Sequence, residues 1–275
     1  MKKILAPTDF SAPAANAVDY AAKFADCLKA ELTLLNCCHI PVMATGETTL
    51  PVITIDELEK ESRRALDAER KRLQGMYPGL KVDTHCCVGF AVEEVASHVK
   101  QFGIDLVVMG ITGAGKFSEL VIGSTATALV QQLDCCPVLI IPEEARFEEP
   151  HRIALACDLK EVVHPECFDS LKEVVSHFGA DLNVVSVMKP GEEINVEKAA
   201  NGIKVEHLLE DVNHTLHFTE EKDVVKGIED FVERHKVNMV SMVARKHNFV
   251  DRIFHESNTK KMAFHTHVPL LALHE

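Results

Sequence analysis

The chain lacks any apolar run near the ~20 residues that a membrane-crossing helix needs. It also lacks an excess of positive charge: 29 Lys and Arg stand against 42 Asp and Glu, a formal charge of −13. Nucleic acid is thereby excluded as a main partner, because a phosphate backbone is bound by clustered basic groups. Basic and acidic residues are spread over both halves of the chain, so neither half is a basic arm. The opening Met1-Lys2-Lys3-Ile4-Leu5-Ala6-Pro7-Thr8-Asp9 is basic but has no apolar core of the ~7–15 residues that a secretory signal requires. Dense cysteine is missing too. Nine cysteines in 275 residues are too sparse for a secreted disulfide scaffold. Six of them fall in vicinal pairs, Cys37-Cys38, Cys86-Cys87 and Cys135-Cys136. Sequence neighbours do not readily bridge each other, so reduced thiols are expected. These absences predict a soluble, cytoplasmic protein with no membrane and no nucleic-acid partner.

What is present is core-forming material. The chain is 47% apolar and 26% charged, and its 275 residues suit two domains. Lys3 to Pro7 reads as a short buried strand. Ser11 is a good N-cap, and Pro13 falls in the first helical turn, where its missing N–H does no harm. Ala17, Val18, Ala21, Phe24, Ala25 and Leu28 then repeat at helical spacing. Further strands are expected over 31–37, 82–88, 104–109 and 137–142. Helices are expected over 56–75, 91–102 and 124–133, the first with Glu59/Arg63 and Asp67/Lys71 pairs in the favourable order. Alternating β and α elements with continuous apolar strands predict a parallel sheet covered on both faces.

The second half repeats this order. Arg152 to Asp158 mirrors Lys3 to Asp9, Val237 to Met242 mirrors Ile104 to Met109, and Val268 to Leu273 mirrors Cys136 to Ile141. The acidic stretch Pro142 to Pro150 is the expected linker. Two domain-sized units are predicted, 1–144 and 151–275.

The loop that carries chemistry is Gly110 to Thr125. Met109-Gly110-Ile111-Thr112-Gly113-Ala114-Gly115-Lys116 follows strand four, and Gly123-Ser124-Thr125 opens the next helix. Glycines admit close backbone approach, and free N–H groups at a helix start attract an anion. Such a loop is either a phosphate cradle or a flexible turn. Gly110-x4-Gly115-Lys116 falls short of a P-loop, because Phe117 stands where Ser or Thr would hold Mg²⁺.

Gly110-x2-Gly113-x9-Gly123-Ser124, with the opening Ile4-Leu5-Ala6-Pro7-Thr8-Asp9-Phe10-Ser11, resembles the universal stress protein family. The resemblance covers essentially the whole chain as a tandem. It implies an α/β fold of two doubly wound domains, each a five-stranded parallel sheet in the order 3-2-1-4-5, like the adenine nucleotide alpha hydrolases. It also implies ATP as ligand, with or without Mg²⁺. By position, Pro7, Thr8 and Asp9 would line an adenosine pocket, and Cys37 would offer backbone contacts to the adenine edge. Met109 and Gly110 would sit against the ribose. Thr112, Gly113 and Lys116 would approach the phosphates, and Gly123, Ser124 and Thr125 would close around them. Asp9 has a second reading, capping the helix that follows, and Lys116 has one as a solvated loop cation.

The second half departs from the motif. Gly110 becomes Val243, Gly113 becomes Lys246 and Gly123 becomes Glu256, with Ser257 retained. Nucleotide is therefore expected in the first domain only. No general base is evident, so a binding protein in stress adaptation is expected ahead of a slow ATPase or a phosphoryl or nucleotidyl transferase. Autophosphorylation at Ser124 or Thr125 stays open. In the implied strand order Cys37-Cys38-His39 and His85-Cys86-Cys87 meet at one sheet edge, which leaves a metal or thiol sensor as another reading. Strand alternation points the members of each vicinal pair to opposite faces. The last strand, Val138 to Ile141, is too apolar for a bare edge, so Leu270 to Leu273 is expected to cover it within the chain. A homodimer of the whole chain is a further possibility.

Overall fold

A computed structural model describes residues 1–38, 54–111, 123–134, 136–159, 165–244 and 267–274. The strands are β1 (Lys3–Pro7), β2 (Glu31–Cys38), β3 (Val82–Val88), β4 (Leu106–Gly110), β5 (Val138–Ile141), β6 (Arg152–Ala156), β7 (Asp181–Met188), β8 (His214–Glu220), β9 (Met239–Ala244) and β10 (Leu270–His274). The helices are α1 (Ala12–Leu28), α2 (Ile55–Met76), α3 (Ala91–Phe102), α4 (Ser124–Gln132), α5 (Asp169–Phe178), α6 (Val196–Leu208) and α7 (Val224–His235), with a 3₁₀ turn over Pro165–Phe168. Local sequence explains the boundaries. Ser11 caps α1 by accepting from the Ala14 N–H, and Lys29 closes the helix in the left-handed conformation. Thr54 and Glu57 form a reciprocal capping box at the start of α2.

The ten strands of the described residues join one sheet in the order β3-β2-β1-β4-β5-β10-β9-β6-β7-β8. Each half therefore has the expected order 3-2-1-4-5. Pairing is parallel within each half and antiparallel at the join, where Leu270, Leu271 and Ala272 face Ile140, Leu139 and Val138. The apolar edge at β5 is covered from within the chain, as its sequence required. One buried layer lies under α1, α2, α5 and α6, and the other under α3, α4 and α7. Both layers run across the join without interruption.

The join is reinforced by rings and the linker. Phe24 of α1 stacks on Phe178 of α5 at 5.6 Å, and Phe147 of the linker meets Tyr20 edge-on at 5.1 Å. Asn16 donates to the carbonyls of Pro142 and Ala145, which ties the linker to α1. The Met1 ammonium pairs with Glu173 of α5.

The likeness of the two halves extends to single contacts. Ile4 pairs with Leu106 and Ile153 with Met239, which fixes the correspondence of β4 and β9. Asp105 accepts the backbone N–H groups of Lys2 and Lys3, and Asn238 does the same for His151 and Arg152. The Lys3 ammonium holds the carbonyl of Phe102 that ends α3, and Arg152 holds that of His235 ending α7. Phe10 and Leu159, each three residues past its strand, both adopt positive φ (61° and 53°).

A ring trio also repeats. His85, His98 and Phe102 cluster between β3 and α3, with His98 4.7 Å from His85 and 4.3 Å from Phe102. His217, Phe231 and His235 repeat it between β8 and α7. Burial, assisted by His85, pushes the His98 imidazole down to about 4. The folded chain then resists a proton that the unfolded chain accepts near pH 6.5, so this contribution is complete above pH 6.5 and is lost as pH falls toward 4. Replacing His98 with phenylalanine, the residue at the matching position 231, should flatten that limb. The difference in urea stability between pH 7 and pH 5 should shrink by ~1–2 kcal/mol. An unchanged difference would locate the acid sensitivity elsewhere.

Candidate functional site: the crevice at the end of β1 and β4

In the first half the chain runs outward from β1 to β2 and β3, then returns to place β4 on the other side of β1. The carboxyl ends of β1 and β4 thus flank the point where strand order reverses, the usual ligand crevice of an open parallel sheet. The α1 helix leaves from the end of β1 toward one face, and α4 begins on the other.

Pro7 ends β1, and Thr8 continues its ladder by donating to the Leu35 carbonyl at 2.8 Å. Thr8 is buried, and its hydroxyl accepts from the Phe10 N–H, which helps hold Phe10 in its left-handed turn. Asp9 lies exposed at the tip. Its carboxylate accepts from both the N–H and the hydroxyl of Ser11, the cap of α1. Ser11, not Asp9, caps α1, and Asp9 braces that capping residue.

Met109 and Gly110 are buried at the end of β4, paired with Ile140 and Ile141. The Gly123 N–H then donates to the Ile111 carbonyl at 2.6 Å, which brings the start of α4 against the end of β4. Gly123 is the N-cap, with no side-chain capping bond, and no acidic residue stands in the first turn of α4. Ser124 is exposed and Thr125 half-buried there. This helix start can receive an anion through backbone N–H groups and two hydroxyls. Thr112, Gly113 and Lys116 lie outside the described residues.

Cys37 stands at the carboxyl end of β2, beside the tip of β1. Two residues that sequence reasoning passed over complete this wall. Asn36 is buried and donates to the Thr8 carbonyl at 2.7 Å, while its own amide oxygen accepts from the buried Ser62 hydroxyl of α2 at 2.7 Å. The signal was a lone amide in an otherwise apolar strand, Leu34-Leu35-Asn36.

A scan against family models matches residues 1–142 to the universal stress protein family. The chain belongs to the universal stress protein family. The universal stress protein YxiE of Bacillus subtilis is 30% identical over 145 residues, 50% of this chain and 97% of that one. A universal stress protein of Methanocaldococcus jannaschii is 28% identical over 142 residues, 51% of this chain and 81% of that one. The crystal structure of a universal stress protein from Archaeoglobus fulgidus covers 99% of this chain and 98% of its own, with a TM-score of 0.75 at 19% identity. A functionally unknown protein of Pseudomonas aeruginosa covers 100% and 92%, with a TM-score of 0.60 at 14% identity. At those identities the two structures speak for the fold, which spans both halves.

Within this universal stress protein the rear crevice is built differently. Val243 occupies the place of Gly110 and is buried in the layer beneath α5 and α6. Leu159 is fully buried where its counterpart Phe10 is exposed, and Asn201 of α6 caps its carbonyl at 2.8 Å. Lys246, Glu256 and Ser257 lie outside the described residues. The rear half has instead an open cleft of about 500 Å³ at the opposite, amino-terminal edge of its strands, lined by Arg152, Asp181, His214, Arg234 and His235 among others.

Proposed function

We propose that the front half, residues 1–144, binds ATP in the crevice between β1 and β4. The rear half, residues 151–275, is a structural partner that does not bind it in the same way. The observation that carries this reading is the bond from the Gly123 N–H to the Ile111 carbonyl at the switch point. It sets a helix start with no side-chain capping bond and no acidic residue in its own first turn against a strand that ends in a buried glycine. An anionic tail suits such a place, since backbone N–H groups and the helix dipole favour negative charge. The half-exposed tips of β1 and β2 suit the nucleoside, with Pro7, Thr8 and Asp9 on one side and the backbone of Cys37 on the other. Met109 and Gly110 lie nearest the ribose. Thr112, Gly113 and Lys116 are assigned to the phosphates from the glycine motif, with Gly123, Ser124 and Thr125 closing the site. Mg²⁺ accompanies ATP as a phosphate counterion. The protein acts in stress adaptation through nucleotide occupancy.

Calorimetric titration of the full chain tests this. ATP should bind at one site per chain, and the same nucleotide should be identified by mass in protein denatured directly after purification. Two sites per chain, or no heat with any adenine nucleotide, would reject the reading.

A further inference from the structure

The four thiols at the outer edge of the front half-sheet form two pairs that differ in geometry. Alternation sends the members of each vicinal pair to opposite faces, as the sequence predicts. On the α2 face, the Sγ atoms of Cys38 and Cys86 are 3.7 Å apart. On the α3 face, those of Cys37 and Cys87 are 3.1 Å apart, in hydrogen-bond contact. Among the described residues no three His, Cys, Asp or Glu side chains are placed to hold a metal ion, and His39 lies outside them.

Strand register separates the two pairs. Cys37 and Cys87 are direct partners on parallel β2 and β3. Neighbouring strands lie ~4.8 Å apart, within the Cα separation of ~4.4–6.8 Å that a disulfide spans. Cys38 instead partners Val88, and Cys86 partners Asn36. That offset of two residues adds ~6.6 Å along the strands and puts their Cα atoms roughly 8 Å apart, beyond disulfide reach without backbone movement. The closest sulfurs are thus also the ones whose backbones are already in place. Both are half-buried, and among the described residues β3 is the last strand of the sheet on this side.

We propose that Cys37 and Cys87 are a redox modification site that closes to a reversible cross-strand disulfide. The oxidant is a low-molecular-weight disulfide. One protein thiol loses its proton and attacks a sulfur of that disulfide. A mixed disulfide forms, and the first small thiolate leaves and takes up a proton. The second protein thiol, deprotonated in turn, attacks the protein-side sulfur and expels the second small thiolate. Two protein thiols and one small disulfide become one protein disulfide and two small thiols, so atoms and electrons balance. Burial pushes both thiols up, and the Glu94 carboxylate of α3 adds to this. Oxidation is therefore slow, since the thiolate is the nucleophile. Closure ties the outermost strand to its neighbour and encloses α2 in the loop between them.

The test uses the full chain in oxidised glutathione, followed by acid quenching, alkylation of remaining thiols and mass analysis of non-reduced peptides. The peptide carrying Cys37-Cys38 should be joined to that carrying Cys86-Cys87, with two hydrogens lost, and dithiothreitol should restore the free thiols. The double variant Cys38→Ser/Cys86→Ser should form the link to within twofold of wild type. Cys87→Ser should form it at least tenfold less. A wild-type chain alkylated at all four positions after oxidation would overturn the proposal. So would a link that survives in Cys37→Ser/Cys87→Ser and vanishes in the reciprocal double variant.

Discussion

Gly110→Val should weaken ATP binding by about 100-fold or more, ~2.7 kcal/mol, and leave the chain folded. Gly110 ends β4 and α1 packs against that strand, so a side chain there enters the mouth between the end of β4 and the start of α1. The second half supplies the folding control. Strand register makes Val243 the counterpart of Gly110, and there a valine is buried inside a strand that continues to Ala244. A β-branched residue is thus compatible with this backbone, and strands favour such residues. Calorimetry should show the loss of affinity while the melting temperature moves by only a few degrees. Wild-type affinity in Gly110→Val would mean that the nucleotide does not use this crevice.

Asn36→Ala should carry the largest stability cost of the changes considered. Asn36 donates to the Thr8 carbonyl and accepts from Ser62, and all three residues are buried. Alanine leaves a carbonyl and a hydroxyl without these partners where water is scarce, at ~1–3 kcal/mol for each. A total near ~3 kcal/mol corresponds to a fall of roughly 6–12 °C in melting temperature. Ser62→Ala removes a hydroxyl along with its bond and should cost about 1 kcal/mol. Thermal denaturation followed by circular dichroism compares the two. Equal melting temperatures for Asn36→Ala and wild type would show that Thr8 is held by the β1–β2 ladder alone.

The fold was legible where residue pattern and physical demand coincide. The buried runs at β1, β4 and β5 have no use except as interior strands. The excess apolarity of Val138 to Ile141 forecast a covering strand, and β10 is that strand. Legibility fell in the rear half between Lys189 and His235. There α6 contains Asn201 and Gly202 on its buried side, and β8 reads His-Thr-Leu-His-Phe-Thr-Glu with little apolar alternation. Both elements draw their stability from neighbours: Asn201 from the Leu159 carbonyl, and β8 from its ladder with β7. Neither partnership can be read from local sequence. At the site, Gly123 and Asp9 stood out by type and spacing. Asn36 did not, because its role depends on Thr8 and Ser62 arriving from elsewhere in the chain. The thiols were visible as vicinal doublets, but which sulfur meets which is a matter of strand register.

The antiparallel pairing of β5 with β10 has a consequence for dilution. Two separate chains joined along such strands would fall apart at low concentration. Here the linker at 142–150 joins the front half to the folded half that carries the counterpart strand, which keeps that strand at a fixed effective molarity whatever the abundance of the protein. A front half that depends on this covering strand for its shape therefore keeps it even when few copies are present.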